Sequence, residues 1–88
     1  MKLIRNERFN KRFKELPARI RELTDKKIQL LLANPHHPSL RVKKIKGEIE
    51  GYKNVFEASI SKNYRFLFQI NTDSYILLTC GTHDKLFK

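Results

Sequence analysis

Three polar side chains lie in the otherwise apolar C-terminal third of the chain: Glu57, Arg65 and His83. The first two lie within stretches that alternate like β-strands, and His83 directly follows the apolar run at 75–82. Charged residues are rarely buried at the centre of a strand without a partner or a chemical role. A carboxylate, a guanidinium and an imidazole can accept a proton, neutralise a phosphate and donate a proton. Metal-free cleavage of RNA by its own 2′-hydroxyl needs these three abilities.

The register of the hairpin around residues 61–63 decides whether Glu57 and Arg65 meet. A two-residue turn would place Ile60 opposite Arg65 and mix apolar with polar residues on both faces. A three-residue loop makes one face wholly apolar, so burial selects it. We expect Asn63 to adopt the left-handed conformation that such a loop favours. The predicted pairs are Phe56 with Phe68, Glu57 with Leu67, Ala58 with Phe66, Ser59 with Arg65 and Ile60 with Tyr64.

This register makes Glu57 and Arg65 diagonal neighbours on the opposite face, which we expect to be open, with backbones roughly 7–8 Å apart. At that distance the two side chains can share a ligand. They can equally form a cross-strand salt bridge on a solvated face, which is worth about 0–1 kcal/mol. His83 can likewise be an ordinary surface histidine, so spacing alone leaves both interpretations open.

The remaining pattern predicts an α+β fold in one domain covering residues 1–88. The order is β-α-α-β-β-β: an N-terminal strand at 2–5, a helical hairpin, then an antiparallel three-stranded meander, with the helices on one sheet face. Asn6 is a good N-cap for a helix over about 7–16, and Pro17 suits the start of a second helix over about 17–33. Val42 and Ile45 suit a short strand in the basic segment 36–54. Gly47 and Gly51 mark turns.

Composition favours a polyanionic partner. The chain has 19 Lys and Arg against 9 Asp and Glu, a net charge of +10 with histidine neutral. We expect Lys43, Lys44 and Lys46 to contact phosphate, although they can also form a solvated basic loop. The pattern predicts no membrane span and no signal peptide. The one cysteine, Cys80, excludes an internal disulfide, suits a reducing cytosol and is expected to be buried.

No metal or other cofactor is expected. His36 and His37 are adjacent and lack a supporting set of ligands. No Gly-rich phosphate loop, nucleophile elbow or Cys-x-x-Cys motif occurs in the sequence.

From residue 40 onward the chain resembles the RelE/ParE superfamily of type II toxin–antitoxin toxins. The carrying stretches are Leu40 to Gly47 (LRVKKIKG), Tyr64 to Phe68 (YRFLF) and Gly81 to Phe87 (GTHDKLF). The ending Thr-His-x-x-Leu-Phe looks like the YafQ-like and RelE-like messenger-RNA interferase branch. The chain departs from that branch at Ser59, Leu67 and Thr79, where some interferases carry basic or histidine residues. No tyrosine follows His83.

The resemblance implies a toxin that cleaves mRNA on the ribosome without a metal ion. Glu57 would be the general base, Arg65 would bind the scissile phosphate and His83 would be the general acid or base. Phe87 would stack on or pack against a base, and Lys43, Lys44 and Lys46 would hold the RNA backbone. The partner would be an acidic antitoxin, and the toxin alone would be a cytoplasmic monomer or weak dimer. Two alternatives stay open: a DNA gyrase poison of the same fold without nuclease activity, and a basic RNA- or protein-binding module.

Overall fold

A computed structural model describes residues 1–87, and Lys88 lies outside the described residues. Five strands and three α-helices follow one another within these 87 described residues. They are β1 (Lys2–Arg5), α1 (Glu7–Glu15), α2 (Ala18–Ala33), β2 (Lys43–Lys44), β3 (Phe56–Ser59), β4 (Tyr64–Ile70), β5 (Ser74–Thr82) and α3 (His83–Leu86), with a 3₁₀ turn at Pro38–Leu40. The strands form one sheet in the order β1-β5-β4-β3-β2. The predicted α+β fold with its antiparallel meander is confirmed.

The N-terminal part forms as its local signals predict. The Asn6 side chain accepts a hydrogen bond of 2.8 Å from the Phe9 amide and so caps α1. Pro17 stands at the N-cap of α2. At the end of α1, the Arg21 guanidinium donates to the Leu16 carbonyl at 2.6 Å, which satisfies one of the carbonyls that a helix end leaves unpaired. The strand β1 joins the sheet by pairing parallel to β5.

The predicted β3–β4 register is confirmed at the four pairs from Phe56 opposite Phe68 to Ser59 opposite Arg65. The conformation predicted for Asn63 is wrong, because the non-glycine residues with positive φ within 1–87 are Arg41, Glu50 and Asn54. The loop closes differently: the amides of Ile60 and Ser61 both donate to the Tyr64 carbonyl, at 2.9 and 3.3 Å. A left-handed residue is therefore not needed to close it.

The sheet face that packs on α1 and α2, here called the helix face, holds the main core. As predicted, the alternating apolar residues of β3 and β4 point into it. Its buried members include Ala58, Ile60, Phe66 and Phe68 from these strands with Phe9, Leu16, Ile28 and Leu31 from the helices.

The opposite face, here called the distal face, was predicted to be open, and this prediction is wrong because the face is covered. The segment 45–55 and α3 fold onto it and enclose a second apolar cluster around Val55, Leu67, Leu78 and Leu86. The strand β5 supplies side chains to both clusters, because both of its faces are covered. A strand buried on both faces is apolar without alternating, which is why the run at 75–80 is apolar throughout. Leu67 pairs with Thr79 and Phe68 with Leu77, so Leu78 is an extra residue that forms a bulge on β5.

Within residues 1–87 no helix combines the length and the apolar character that crossing a bilayer requires.

Replacing Phe66 with alanine should lower the free energy of unfolding by about 3–5 kcal/mol, because the ring is fully buried in the main core. Ile70 is the matched control, since it lies on the same strand with 49% of its surface exposed. Urea unfolding should show a much lower midpoint for Phe66→Ala than for Ile70→Ala. Equal midpoints would contradict the assignment of the helix face as the main core.

The Cys80 thiol should resist alkylation in the folded protein. Burial raises its pKa to about 12, and the thiolate is the reactive form. Iodoacetamide at pH 8 should label Cys80 slowly in buffer and rapidly in concentrated guanidinium chloride. Equal rates under the two conditions would show that the thiol is accessible.

Candidate active site

Glu57 is a buried carboxylate on the distal face, with 7% of its side chain exposed. Strand alternation turns it away from the main core, and β2 brings Lys43 directly opposite. Its Oε1 lies 3.5 Å from Lys43 Nζ and 4.0 Å from Arg65 Nε. A buried carboxylate needs cations or donors to offset its lost hydration. Lys43 and Arg65 are the cations that supply this here.

Arg65 is held mainly by the hairpin loop. Its Nη1 donates to the carbonyls of Ser61, Lys62 and Tyr64, at 2.6, 3.2 and 2.9 Å. Its Nη2 donates to no group within residues 1–87, and 19% of the side chain is exposed. Nη1 thus fixes the loop, while Nε faces Glu57. The Nη2 group is the part with hydrogens to offer a ligand.

His83 begins α3, at the end of the sheet where the β3–β4 loop lies. Its amide donates to the Asn63 carbonyl at 2.8 Å, which ties α3 to that loop. Its imidazole packs on the Phe87 ring with centroids 4.7 Å apart, and half of the side chain is exposed. Phe87 in turn packs against the distal cluster. His83 and Phe87 therefore lie together on the distal side of the sheet.

The three candidate lysines are all exposed, but they are not equivalent. Lys43 pairs with Glu57 and so belongs to the distal face, whereas Lys44 pairs with Phe56, whose side chain packs against the main core. Strand alternation therefore turns Lys44 to the other side of β2. Within residues 1–87, Lys43 alone among the three makes an ion pair with the site carboxylate.

Glu57, Arg65 and Lys43 are thus brought into direct contact, and His83 is linked to them through backbone. Within residues 1–87 no hydrogen bond or ion pair joins the His83 imidazole to Glu57 or Arg65. Neither the link between Arg65 and the loop carbonyls nor the helix α3 was predicted from the sequence. The signal for α3 was present in Thr82, a good N-cap residue, whose side-chain oxygen accepts from the Lys85 amide at 3.3 Å.

Thr79 adds a polar atom that the sequence analysis treated only as a departure. Thr79 lies on β5 opposite Leu67 of β4. Its Oγ1 is buried without a hydrogen-bond partner within residues 1–87. The described residues contain no group of three or more His, Cys, Asp or Glu side chains placed to hold a metal ion.

Solved structures with the same architecture are toxins of toxin–antitoxin pairs. The chain superposes on YafQ from E. coli with a TM-score of 0.81 at 16% identity, covering 98% of this chain and 97% of that one. It superposes on a YoeB/ParE toxin from Agrobacterium tumefaciens with a TM-score of 0.76 at 17% identity, covering 94% and 99%. The chain has the RelE/ParE toxin fold.

The antitoxin-bound forms of such toxins match as well. The DinJ–YafQ toxin–antitoxin complex of E. coli matches with a TM-score of 0.79 at 16% identity, covering 98% of this chain and 96% of that one. The archaeal RelE–RelB complex from Pyrococcus horikoshii matches with a TM-score of 0.73 at 17% identity, covering 92% of each chain. No protein-family model matches the sequence, and no curated protein matches it by sequence. The likeness is therefore one of fold.

Replacing Arg65 with alanine should destabilise the protein, because three backbone carbonyls each lose a hydrogen bond and Glu57 loses one of its cations. Hydrogen bonds from a charged group are worth about 1.5–3 kcal/mol, so we expect a loss of about that size in the free energy of unfolding. Lys62→Ala, an exposed change in the same loop, is the control and should be nearly neutral. Equal stability of Arg65→Ala and the unmodified chain would show that Arg65 does not support the loop.

Proposed function

We propose that this chain is the toxin of a type II toxin–antitoxin pair and an endoribonuclease that cleaves mRNA on the ribosome without a metal ion. The observation that carries the proposal is the contact among Glu57, Arg65 and Lys43, on the face to which α3 brings His83 and Phe87. A buried carboxylate between two cations, with an exposed imidazole on the same side of the sheet, supplies the groups that 2′-hydroxyl attack requires. The fold shared with YafQ and RelE supports this assignment.

In the proposed reaction Glu57 accepts the proton of the 2′-hydroxyl as that oxygen attacks the adjacent phosphorus. The bond from phosphorus to the 5′-oxygen breaks, and protonated His83 donates a proton to the leaving oxygen. Arg65 and Lys43 stabilise the charge that develops on the phosphoryl oxygens. The products are a 2′,3′-cyclic phosphate and a 5′-hydroxyl, and the protons balance because Glu57 gains one and His83 loses one.

The reaction requires Arg65 to serve both the loop and the phosphate. Its Nη2 is the group we assign to the phosphate, since Nη1 is committed to the loop carbonyls. Phe87, which already packs on the His83 ring, is assigned to stacking with a base. Lys44 and Lys46 are assigned to backbone phosphates further along the strand, outside the contact between Lys43 and Glu57.

The proposed partner in the cell is an acidic antitoxin, which the net charge of +10 attracts. DinJ and RelB occupy that role for YafQ and RelE in the matched complexes. We place the toxin in the cytoplasm because its proposed substrate is there.

His83→Gln should reduce cleavage by roughly 10²–10⁴-fold, the usual effect of losing a general acid or base. His36→Gln is the matched control, since His36 is also exposed but lies in the loop after α2. Cleavage of transcripts by purified ribosomes carrying a defined mRNA should be measured with equal amounts of folded protein. The activity should persist in EDTA. Full activity of His83→Gln would reject His83 as the proton donor.

Lys43→Ala should weaken RNA binding more than Lys44→Ala, because Lys43 shares the face of Glu57 and Arg65 while Lys44 points to the other side of β2. Both variants remove one exposed positive charge, so a general loss of charge affects them equally. Affinity for a single-stranded RNA should be compared at several salt concentrations. Equal losses would mean that the lysines act only through net charge.

Induction of the chain and its variants in growing cells separates the toxin mechanisms. Toxicity that survives both His83→Gln and Glu57→Gln, with DNA breaks and intact transcripts, would assign the chain to the gyrase-poison alternative. Absence of any toxicity from the unmodified chain, together with retained RNA affinity, would leave the binding-module alternative.

A further inference from the structure

The segment 45–55 is a small hairpin of its own, separate from the meander. The Ile45 amide donates to the Val55 carbonyl at 2.8 Å, and Ile49 and Tyr52 exchange two hydrogen bonds of 2.9 Å. Its turn residues are Glu50 and Gly51, with φ values of 52° and 84°. Two consecutive positive φ values define a type I′ turn, for which Asn-Gly is the preferred sequence.

Glu50 is therefore a costly choice at this position. A left-handed conformation costs a residue with a long side chain about 1–2 kcal/mol, which Asn or Gly would largely avoid. The side chain offers a reason for the choice. Its Oε1 lies 3.4 Å from Arg8 Nη1 and 3.6 Å from Arg12 Nη2, so two guanidiniums one turn apart on α1 converge on a single oxygen.

The Glu50 carboxylate is a loose partner for the two guanidiniums. Charge-assisted hydrogen bonds from arginine to an oxyanion are normally about 2.7–2.9 Å long, and both contacts to Glu50 are longer. One oxygen serves two donors, so neither guanidinium is fully paired. Guanidinium groups bind phosphate as well as carboxylate, so a phosphodiester can take the place of the Glu50 carboxylate on both arginines.

Arg8 and Arg12 also line a groove of about 880 Å³ between α1 and the end of the sheet. Its charged lining comprises Arg8, Lys11, Arg12 and Lys85, with Glu7 and Glu15 as the acidic members. The cations therefore outnumber the acids by four to two. Lys85 lies on α3, so the groove reaches the short helix that also carries the proposed proton donor His83.

We propose that Arg8 and Arg12 form a phosphate-binding site for the backbone of single-stranded RNA, which Glu50 occupies in the free chain. RNA held at Arg65 and His83 passes α3 and enters the groove, where one of its phosphates displaces the Glu50 carboxylate. The choice of RNA as the ligand rests on the proposed function. The inference that the Glu50 carboxylate can be displaced rests only on the contacts of Glu50.

The test is RNA binding by the full-length chain, with a 2′-O-methyl single-stranded RNA that cannot be cleaved. Glu50→Gln should bind this RNA roughly two- to tenfold more tightly, since two exposed ion pairs no longer compete with it. The dependence of affinity on salt should steepen by about 0.7 in the log–log slope for each phosphate gained. Glu48→Gln is the matched control, because it removes the same charge from the same hairpin and Glu48 makes no ion pair within residues 1–87.

A double-mutant cycle assigns the effect to the arginine pair. In a chain with Arg8→Gln and Arg12→Gln, the further change Glu50→Gln should give no more gain than Glu48→Gln gives. Thermal unfolding checks that each variant is folded, and the single change Arg8→Gln, which should remove part of the gain, serves if the double change unfolds. A gain that persists without the arginines would overturn the proposal, as would equal gains from Glu50→Gln and Glu48→Gln.

Three further outcomes separate this proposal from a carboxylate-binding site and from the nuclease proposal. If Glu50→Gln strengthens binding of polyglutamate and not of RNA, the site takes carboxylates and the proposal is overturned. If the gain for RNA appears while the unmodified chain cleaves no transcript, the phosphate site stands and the nuclease proposal fails. If the unmodified chain cleaves transcripts and Glu50→Gln leaves RNA affinity unchanged, the nuclease proposal stands and the phosphate site is overturned.

Discussion

The register of the β3–β4 hairpin is the constraint on which the candidate site depends. Burial of the helix face admits only the pairing that sets Ala58 opposite Phe66 and Phe56 opposite Phe68. That pairing makes Glu57 and Arg65 diagonal neighbours on the distal face. It also sets the loop whose carbonyls Arg65 binds and whose Asn63 carbonyl receives the His83 amide. A shift by one residue would place Glu57 and Arg65 on opposite faces, so one of the two charges would enter the main core without the other.

Covering both faces of the sheet changes the character of the site. On an open face, the pair of Glu57 and Arg65 would be a screened surface salt bridge of little energetic weight. Under the 45–55 hairpin and α3, Glu57 is a buried charge, and removing a partner from a buried pair costs about 3–5 kcal/mol because the remaining charge is left uncompensated. Lys43 moderates that cost, since it also contacts Glu57. Folding and the proposed catalysis therefore draw on the same side chains, and effects on activity must be compared at equal amounts of folded protein.

Alternation and local capping signals predicted most of the fold. Asn6, Pro17 and the even spacing of Phe66 and Phe68 carry their information within a few residues. The misses concern what lies over the distal face. Both faces of β5 are covered, so its sequence is apolar throughout and does not show which residues face which cluster. The bulge at Leu78 adds a further break in the alternation. The loop is held by the contact of Arg65 with three carbonyls, and Asn63 does not adopt the expected left-handed conformation. A side chain that binds backbone carbonyls produces no periodic pattern in the sequence, so this contact could not be predicted. The types of the site residues could be read from the sequence, but the contact of Lys43 with Glu57 required the position of β2.

A chain with a net charge of +10 must limit repulsion among its own cations, and two internal carboxylates do so at two separate places. Glu57 neutralises Lys43 and Arg65 on the distal face, while Glu50 neutralises Arg8 and Arg12 on α1. The two carboxylates differ in burial, with 7% of the Glu57 side chain exposed and 28% of the Glu50 side chain. Burial makes Glu57 a fixed part of the fold, because withdrawing it would strand a charge. Exposure makes Glu50 exchangeable, because water can hydrate the released carboxylate when another anion takes its place. The same pairing of acid with base thus yields a permanent site on the distal face and a displaceable one on α1.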